Sequence, residues 1–476
     1  MSAQHTNPVF VSDESYTERS FSTLNNPQGN SANKDVFTID LKETNKAKEA
    51  YDNYDPFMHR KVEHPTTNSE TLFHLLKGCL GTGILAMPKA FSNSGYLLGS
   101  IGTVFIGVIC TYCIHLLIKS EYELCKRRKI PSLTYPATAE AAFSDGPRCL
   151  RKFASVSVHV VNTFLLIYQM GTCCVYVVFI GANIQSVANI HIKEMGIEIY
   201  MLIFLIPLIL INWIKNLKRL APFSTAANAI TLVSFGIILY YVITDKPSFD
   251  NKELVGKAEN IPLFFGTVLF ALEAIGVIMP LENEMKSPKS FGSTVGVLNV
   301  GMTTIIFLYL GMGLLGYLTY GHAVEGTITL NLPKEDVLAQ IVKISLALAI
   351  FVTYGLQCYV AVDITWNEYL GPKLEKNSRQ VLWEYVTRTV LVLITFVLAV
   401  LVPALDLFIS LFGAFCLSAL GIAIPAAIET CTYWYSRSGA SFYIMLIKNL
   451  ALIIFGLCGL VAGTYTSIRD IIKEFS

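Results

Sequence analysis

Three ionisable side chains, His74, Lys77 and Glu273, lie inside apolar segments long enough to cross a membrane. Burying an ionisable group at membrane depth is costly, so such a group usually has a functional role. Glu273 either accepts hydrogen bonds from backbone N–H groups that an interrupted helix leaves unpaired, or it carries a proton. Lys77 either belongs to a site or extends to the membrane interface. Helical spacing places His74 and Lys77 on one face with Gly78 and Gly81.

The stretch FHLLKGCLGTGILAMPKAF, residues 73–91, combines this face with residues that interrupt a helix. Gly81 and Gly83 give the backbone freedom, and Pro88 lacks an N–H donor. A membrane helix breaks where the freed backbone groups line a cavity or bind a ligand. The alternative is a kinked packing helix, since Gly and Pro are frequent in membrane spans.

A second apolar segment shows the same features, which favours the broken-helix interpretation. GTVLFALEAIGVIMPLENEM, residues 266–285, has Glu273 at mid-span and ends its apolar run on Met-Pro, as residues 73–91 also do. The two segments are the first and sixth predicted spans, so they run in opposite directions through the membrane. This is the pattern of an inverted-repeat transporter whose two discontinuous helices cross at the bilayer midplane.

The composition indicates a polytopic membrane protein. The 476 residues are 53% hydrophobic and 15% charged, and the mean hydropathy is +0.51. These values are too apolar for a soluble globular protein of this size. The net charge of +1 gives no basic surface for nucleic acid. No nucleophile–base pair or metal-ligand cluster has useful spacing, so we do not expect an enzyme.

Eleven apolar segments are predicted to cross the membrane, because a span needs about 20 residues. They lie near 70–91, 96–119, 153–189, 198–214, 221–243, 261–285, 292–320, 337–368, 382–402, 405–429 and 441–466. Lys and Arg are concentrated in the loops that face the cytosol if the N-terminus is cytosolic. The C-terminus is then predicted to be extracytosolic. The polar, Ser- and Asn-rich residues 1–66 are predicted to be a disordered cytosolic tail.

Several motifs, in the same order along the chain, resemble the amino acid/auxin permease family and, within it, the proton-assisted (proton-coupled) amino acid transporter branch. They are LLKGCLGTGILAMPKAF in the first span, CCVYVVFIGANIQ at 173–185, FFGTVLFALEAIGVIMPLENEMKSP at 264–288, YGLQCYVAVDI at 354–364 and FISLFGAFCLSALGIAIPAAIE at 408–429. The resemblance extends from about residue 66 to the end of the chain.

The resemblance implies an all-α membrane protein with the leucine-transporter-type 5+5 inverted repeat and discontinuous helices one and six. The transporter domain is then 67–476, with repeat one at about 67–244, repeat two at about 260–429 and an extra span at 441–466. The resemblance also implies that amino acids are carried with protons. In this branch a His at the position of His74 is associated with proton coupling; the alternative is a neutral His bonded to a neighbouring helix.

The chemistry of an amino acid suggests which residues bind it. Its carboxylate suits the backbone N–H groups of Gly81, Thr82 and Gly83 at the start of a half-helix. Its ammonium suits carbonyl groups freed by unwinding around residues 270–275. Candidate pocket walls are Cys79, Phe270, Ala274 and Tyr168, and Glu273 is a candidate both for substrate binding and, with His74, for proton coupling.

We therefore predict a secondary active transporter that moves small neutral amino acids, with protons, into the cytosol. No cofactor is expected other than the coupling proton, and the expected partners are the amino acid and the lipid bilayer. Sodium coupling is disfavoured because Ser345, Thr353 and Thr365 are isolated in the eighth span. An uncoupled carrier and an amino-acid-sensing receptor with little flux remain alternatives. The plasma membrane and a lysosomal or endosomal membrane both fit, and the preferred amino acid and any partner subunits stay open.

Overall fold

The computed structural model describes residues 54–215, 217–272, 275–375 and 378–474, and for residues 217–222 it describes the backbone only. One compact unit spans Asp55–Ser476. The described residues are helical and contain no named strand, which confirms the predicted all-α class. Residues 1–53, most of the predicted tail, lie outside the described residues.

Fifteen helices position the site, and two π-helical stretches extend them. In chain order they are α1 (Asn68–Cys79), α2 (Thr82–Ser94), α3 (Tyr96–Arg128), α4 (Tyr135–Asp145), α5 (Ala154–His191), α6 (Ile197–Asn212), α7 (Leu217–Thr244), α8 (Ile261–Ala271), α9 (Ile275–Asn283), α10 (Val297–Tyr320), α11 (Val337–Asp363), α12 (Gln380–Leu401), α13 (Leu405–Phe412), α14 (Ile424–Thr432) and α15 (Gly439–Glu474). The π-helical stretches are Ile364–Leu370, after α11, and Gly413–Ala423, between α13 and α14.

The lengths of these helices fit a membrane protein. Among the described residues, 9 helical segments are long and apolar enough to cross a membrane. The predicted fourth span corresponds to α6, a shorter apolar helix of 16 residues. The predicted first span corresponds to α1 and α2, of 12 and 13 residues, because the helix is interrupted at Leu80 and Gly81. The last helix, α15, extends beyond its predicted end at 466.

Local sequence explains where the first two helices begin and end. Thr67 caps α1 by accepting a hydrogen bond from the backbone N–H of Glu70, and the Glu70 side chain accepts one from the backbone of Thr67 in return. Between α2 and α3, Gly95 has a φ of 79°, a left-handed conformation that favours glycine. The chain can therefore reverse direction there within a single residue.

The helices form two groups that face each other. In the first group, α1, α2, α3, α8, α9 and α10 contact one another. In the second group, α5, α6, α7, α11 and α12 do so. We call the end of the first group that carries residues 54–67 the N side, and the opposite end the far side.

Residues 55–66, which the sequence analysis assigns to the tail, lie inside the compact unit. Pro56–His59 forms a 3-10 helix, and Thr66 forms a parallel bridge with Met285, which follows α9. These residues are ordered because they bond to other parts of the chain rather than by burying an apolar run of their own. Residues 55–66 are thus part of the compact unit, and the domain boundary at residue 66 stays a prediction.

Arg388 of α12 connects two helices of the second group and gives a stability prediction. Its side chain is 5% exposed, and it donates a hydrogen bond of 3.0 Å to the carbonyl of Asn212 at the end of α6. It also pairs with Glu384 at 3.0 Å. Arg388→Gln removes the charged donor from the Asn212 carbonyl, while Glu384 keeps its pair with Lys215 at 2.6 Å. We therefore expect it to lower the free energy of unfolding by about 2 kcal/mol. The measurement is denaturant-induced unfolding in detergent micelles.

The control is Arg437→Gln. Arg437 pairs with Glu429 at 3.5 Å, and its side chain is 35% exposed. Removing such a pair should cost less than about 1 kcal/mol. Equal destabilisation by the two variants would contradict a special role of the buried pair.

Candidate functional site

The interruptions of the two broken helix pairs, α1/α2 and α8/α9, lie against each other. A Cβ atom on Gly83, in the first turn of α2, would be 2.6 Å from the Cα atom of Ala271, the last residue of α8. Real Cβ atoms do not approach a backbone atom so closely, so only glycine allows this contact. The broken helices therefore cross with their backbones touching.

Several backbone groups at the first interruption have hydrogen-bond partners within the chain. The Leu80 N–H donates to the Leu76 carbonyl at 2.8 Å, and the Gly81 N–H donates to the Cys79 carbonyl at 2.9 Å. The buried Tyr309 hydroxyl of α10 also donates to the Cys79 carbonyl. Gly81 caps α2 without a side-chain hydrogen bond. The first turn of α2 therefore has no side-chain cap at its N-terminus, where the field of a helix is positive.

A cavity of about 360 Å³ lies beside this interruption. Five helices contribute its walls: α1 and α9 on one side and α5, α7 and α11 on the other. The residues that line it are His74, Lys77, Gly78, Leu80, Gly81, Tyr168, Gln169, Tyr176, Ser224, Asn228, Thr231, Gly276, Val277, Leu281, Ile350, Thr353, Leu356, Gln357 and Val360.

The cavity lies on the N side of the interruptions. A second cavity, of about 220 Å³, shares the lining residues Gly276 and Val360 with the first. Asp363, nearer to the N side, also lines this second cavity. On the far side, residues 82–88 of α2 are all buried. Lys89 of α2 also lies 3.9 Å from Asp406 of α13. Both cavities thus lie on the N side of the interruptions, and on the far side the start of α2 is buried.

The structure brings together part of the predicted site. His74, Lys77, Gly81 and Tyr168 all line the first cavity. The helical face predicted from the spacing of residues 74, 77, 78 and 81 is the face of α1 that the cavity contacts. His74 is exposed and Lys77 is half-buried, so both side chains reach an open part of the wall.

Other predicted residues lie behind that wall. Cys79, Thr82, Gly83 and Phe270 are buried next to the interruptions and are not among the described lining residues. The Phe270 ring lies 5.9 Å from the Tyr168 ring, measured between centroids, so it supports a lining residue. Glu273 and Ala274 lie outside the described residues, and their assigned roles stay predictions.

Apart from Tyr168 and Thr353, the polar side chains of the opposite wall were not among the residues singled out from the sequence. Gln169, Asn228 and Gln357 line the cavity from α5, α7 and α11, with Ser224, Thr231 and Thr353 among the other polar residues. Gln169 is 5% exposed, and its amide oxygen is buried without a hydrogen-bond partner in the described structure. An amide inside an apolar segment is the sequence signal that could have identified these residues.

The charges of the two walls differ. The α1 wall carries Lys77 and the ionisable His74, whereas the opposite wall carries neutral amides and hydroxyls. The described lining residues of this cavity include no carboxylate. A ligand that brings its own carboxylate is therefore attracted to the α1 side, and a second cationic group is repelled.

Comparisons with known proteins identify the family of the chain. The family model described as "Transmembrane amino acid transporter protein" matches residues 64–469. The chain is 43% identical, over 90% of each chain, to "Proton-coupled amino acid transporter-like protein pathetic" of Drosophila melanogaster. It is 25% identical to "Probable amino acid transporter skat-1" of Caenorhabditis elegans, over 86% of this chain and 91% of the relative. These matches confirm the resemblance inferred from the motifs.

A solved structure was also found, of Mhp1, a nucleobase-cation-symport-1 family transporter, in a closed conformation with bound bromovinylhydantoin. The match covers 88% of this chain and 94% of the Mhp1 chain, with 14% sequence identity and a TM-score of 0.40. The family model and the two relatives describe transporters, so the chain is a transporter and not an enzyme.

The contact of Gly83 with Ala271 predicts the effect of a larger side chain. Gly83→Val should abolish substrate binding, because its side chain would push α8 away from α2, while the protein should still insert into the membrane. Binding is measured by scintillation proximity on purified protein and insertion by surface labelling. The control is Gly311→Val in α10, where a Cβ atom would meet nothing within 4 Å. Normal binding by Gly83→Val would place the site elsewhere.

Proposed function

Because the chain belongs to the transmembrane amino acid transporter family, we propose that it is a secondary active transporter of small neutral amino acids driven by protons. The observation that carries the proposal is the cavity at the crossing of two broken helices. Such a crossing exposes polar backbone at membrane depth, which is tolerated where it lines a cavity.

The two ends of an amino acid suit the two walls of the cavity. The substrate carboxylate binds at the N-terminus of α2, near Gly81, with Lys77 of the same wall adding positive charge. The ammonium binds towards the second broken pair and the opposite wall, where the amide oxygen of Gln169 is an acceptor without a partner among the described residues. Cys79, Thr82 and Phe270 support these groups from behind.

The preference for neutral side chains rests on the charges. A cationic substrate side chain would place a second positive charge near Lys77 in a site of low dielectric constant, which is unfavourable. Ile350 and Val277 form an apolar part of the cavity wall, which a small apolar substrate side chain can contact. Neutral amino acids meet both conditions.

We propose His74 and Glu273 as the proton-coupling residues. His74 lines the cavity, and histidine is the side-chain type that most often carries protons near neutral pH. Glu273 lies between α8 and α9 in sequence, at the second interruption. Sodium coupling is the main rival. Thr353 is the hydroxyl that α11 contributes to the cavity, and it already donates a hydrogen bond to the Ala349 carbonyl at 2.9 Å.

We propose eleven crossings, with α1/α2 as the first, α8/α9 as the sixth and α15 as the last, arranged as two inverted five-helix repeats plus one. The N side is then cytosolic, the C-terminus is extracytosolic, and the far side faces the medium or an acidic lumen. This orientation fits both the plasma membrane and a lysosomal or endosomal membrane. Immunofluorescence of the tagged protein with compartment markers distinguishes them.

Uptake into proteoliposomes tests the function. A panel of radiolabelled amino acids, offered with and without an inward proton gradient, should show gradient-driven uptake of small neutral amino acids. Uptake that requires sodium would support the rival coupling ion. Specific binding without uptake would support a receptor instead.

Gln169 gives a prediction about substrate binding. Gln169→Leu keeps the size of the side chain but removes the acceptor, so the KM for the amino acid should rise severalfold with normal surface abundance. The control is Gln185→Leu on the same helix, whose amide donates to the Met195 carbonyl at 3.0 Å, away from the cavity. Equal KM values for the two variants would remove Gln169 from the substrate site.

His74 gives a prediction about pH. Substrate-evoked inward current should rise as the external pH falls from about 7.5 to 5.5, and this dependence should disappear in His74→Ala. The control is His191→Ala, which removes a histidine at the end of α5, 3.4 Å from Gln340. An unchanged pH dependence in His74→Ala would leave Glu273 as the proton site.

A further inference from the structure

Residues 55–66, which we call the strap, cross the N side and lead into α1. The Phe57 ring lies 4.7 Å from the Tyr122 ring of α3, measured between centroids. At its other end, the Thr66 N–H donates to the Glu284 carbonyl at 2.9 Å, and the Lys286 N–H donates to the Thr66 carbonyl at 2.9 Å. The strap therefore contacts α3 and the chain that leaves α9 before α1 begins.

Arg60 is the centre of the strap. Its guanidinium donates to the Glu282 carboxylate of α9 at 2.9 Å, to the Glu282 carbonyl at 3.2 Å and to the Pro131 carbonyl at 3.0 Å. It also lies 3.7 Å from the Glu121 carboxylate of α3. The Arg60 side chain is 6% exposed, that of Glu282 is 3% exposed and that of Glu121 is 2% exposed. Two buried carboxylates from different helices thus share one guanidinium.

This burial makes Arg60 difficult to remove. Charge-assisted hydrogen bonds in a dry site are strong, and loss of the guanidinium would leave the buried Glu282 carboxylate without its charged partner. The cluster is closed by two further donors to Glu121, the Cys125 thiol at 3.1 Å and the Leu133 N–H at 3.0 Å. The Arg60 contacts are therefore expected to persist as long as the strap stays in place.

A more exposed ion pair attaches the start of the strap. Asp55 and Lys289 lie 2.7 Å apart. Burial alone would raise the pKa of Asp55, but hydrogen bonds from Lys289 and from the Phe57 N–H outweigh it and lower the pKa below its usual value of 3.8. A lowered pKa keeps the carboxylate charged above pH 3.8, so this attachment is lost only in more acidic solution.

The strap contacts described above lie in the first group of helices or in the segments that follow α3 and α9. The strap joins α1, α3 and α9, which belong to the first group of helices, while the opposite wall consists of α5, α7 and α11. Opening or closing the cavity changes the distance between these walls. The helix α9 has only 9 residues and is separated from α8 by the second interruption, so its own chain fixes its position weakly.

We propose that the strap, through Arg60, fastens α9 to α1 and α3, so that these three helices move as one wall during transport. Arg60 is a positioning residue in this scheme, because it contacts neither the substrate nor the proton-coupling residues. The proposal rests on the proposed transport function. It differs from a gate, in which the strap would detach from α9 in each cycle.

A cross-link distinguishes a fastening from a gate. Thr66 and Met285 form a bridge, and bridged residues lie within the range of a disulfide. Thr66→Cys/Met285→Cys is made in a protein whose exposed cysteines, Cys149 and Cys458, are replaced by Ser. If the strap moves with α9, the oxidised protein should transport at the rate of the reduced protein. Transport that stops on oxidation and returns with a reductant would overturn the proposal.

A kinetic test measures the contribution of Arg60. Arg60→Gln should lower the maximal uptake rate severalfold, with unchanged KM for the amino acid and normal surface abundance, because the wall no longer moves as a unit. Arg60→Lys should retain part of the rate. The control is Arg128→Gln. Arg128 pairs with Asp145 at 3.1 Å, and both side chains are 30% exposed. A normal rate in Arg60→Gln would contradict the proposal.

A third readout does not depend on transport. In Arg60→Gln the disulfide between positions 66 and 285 should form more slowly, because the strap is less firmly held. An unchanged rate of disulfide formation would also contradict the proposal. Absence of amino acid uptake by the unmodified protein would refute the proposed function alone, since disulfide formation would still report on the strap.

Discussion

The contact between the backbones of Gly83 and Ala271 is the constraint on which the rest of the site depends. It holds the two interruptions side by side, so the backbone groups freed in one helix lie next to those of the other. In a bilayer these groups require partners, because an unsatisfied group costs several kcal/mol. The Tyr309 hydroxyl satisfies the Cys79 carbonyl. Gly81, which precedes α2, lines the cavity, and the proposed carboxylate site lies at this helix N-terminus.

The distribution of charge separates parts that stay together from parts that change partners. Around Arg60, buried charges connect elements of the same wall. The cavity itself is lined on the α5, α7 and α11 side by neutral amides and hydroxyls. A neutral hydrogen bond contributes only about 1 kcal/mol net, so it can be exchanged for one to a substrate with little penalty. A buried charge cannot be exchanged in this way.

The sequence predicts the interruptions well and the cavity walls only in part. Gly81, Gly83 and Pro88 act on the local backbone, so their effect is visible in a short stretch of residues. The spacing of His74 and Lys77 also gives the correct face of α1, because both belong to one helix. Gln169 and Gln357 lie in other helices, and whether they face lipid or cavity depends on how each helix is rotated against its neighbours. Hydrophobic periodicity is weak in helices that are apolar on most sides, so it does not reveal that rotation.

The strap shows a second limit. Its composition is polar and lacks an apolar run, which is typical of disorder. What orders it is a set of partners distant in sequence: Glu282 is 222 residues from Arg60 along the chain. No local pattern in the sequence around Arg60 identifies such a partner. Long-range ion pairs of this kind can be recognised only once the fold has brought the helices together.

The ion pairs at the two ends of the first group also differ in exposure, and this difference suggests which contacts change during transport. On the far side, Lys89 and Asp406 are 3.9 Å apart with side chains 29% and 28% exposed. A partly exposed pair contributes about 0–1 kcal/mol, so thermal motion breaks it easily. It also joins α2 of the first group to α13 outside that group. The N-side cluster is buried and joins helices of one wall. A wall that pivots as a unit would separate Lys89 from Asp406 and leave Arg60 with its partners, and the structure places its weaker ion pair where the separation occurs.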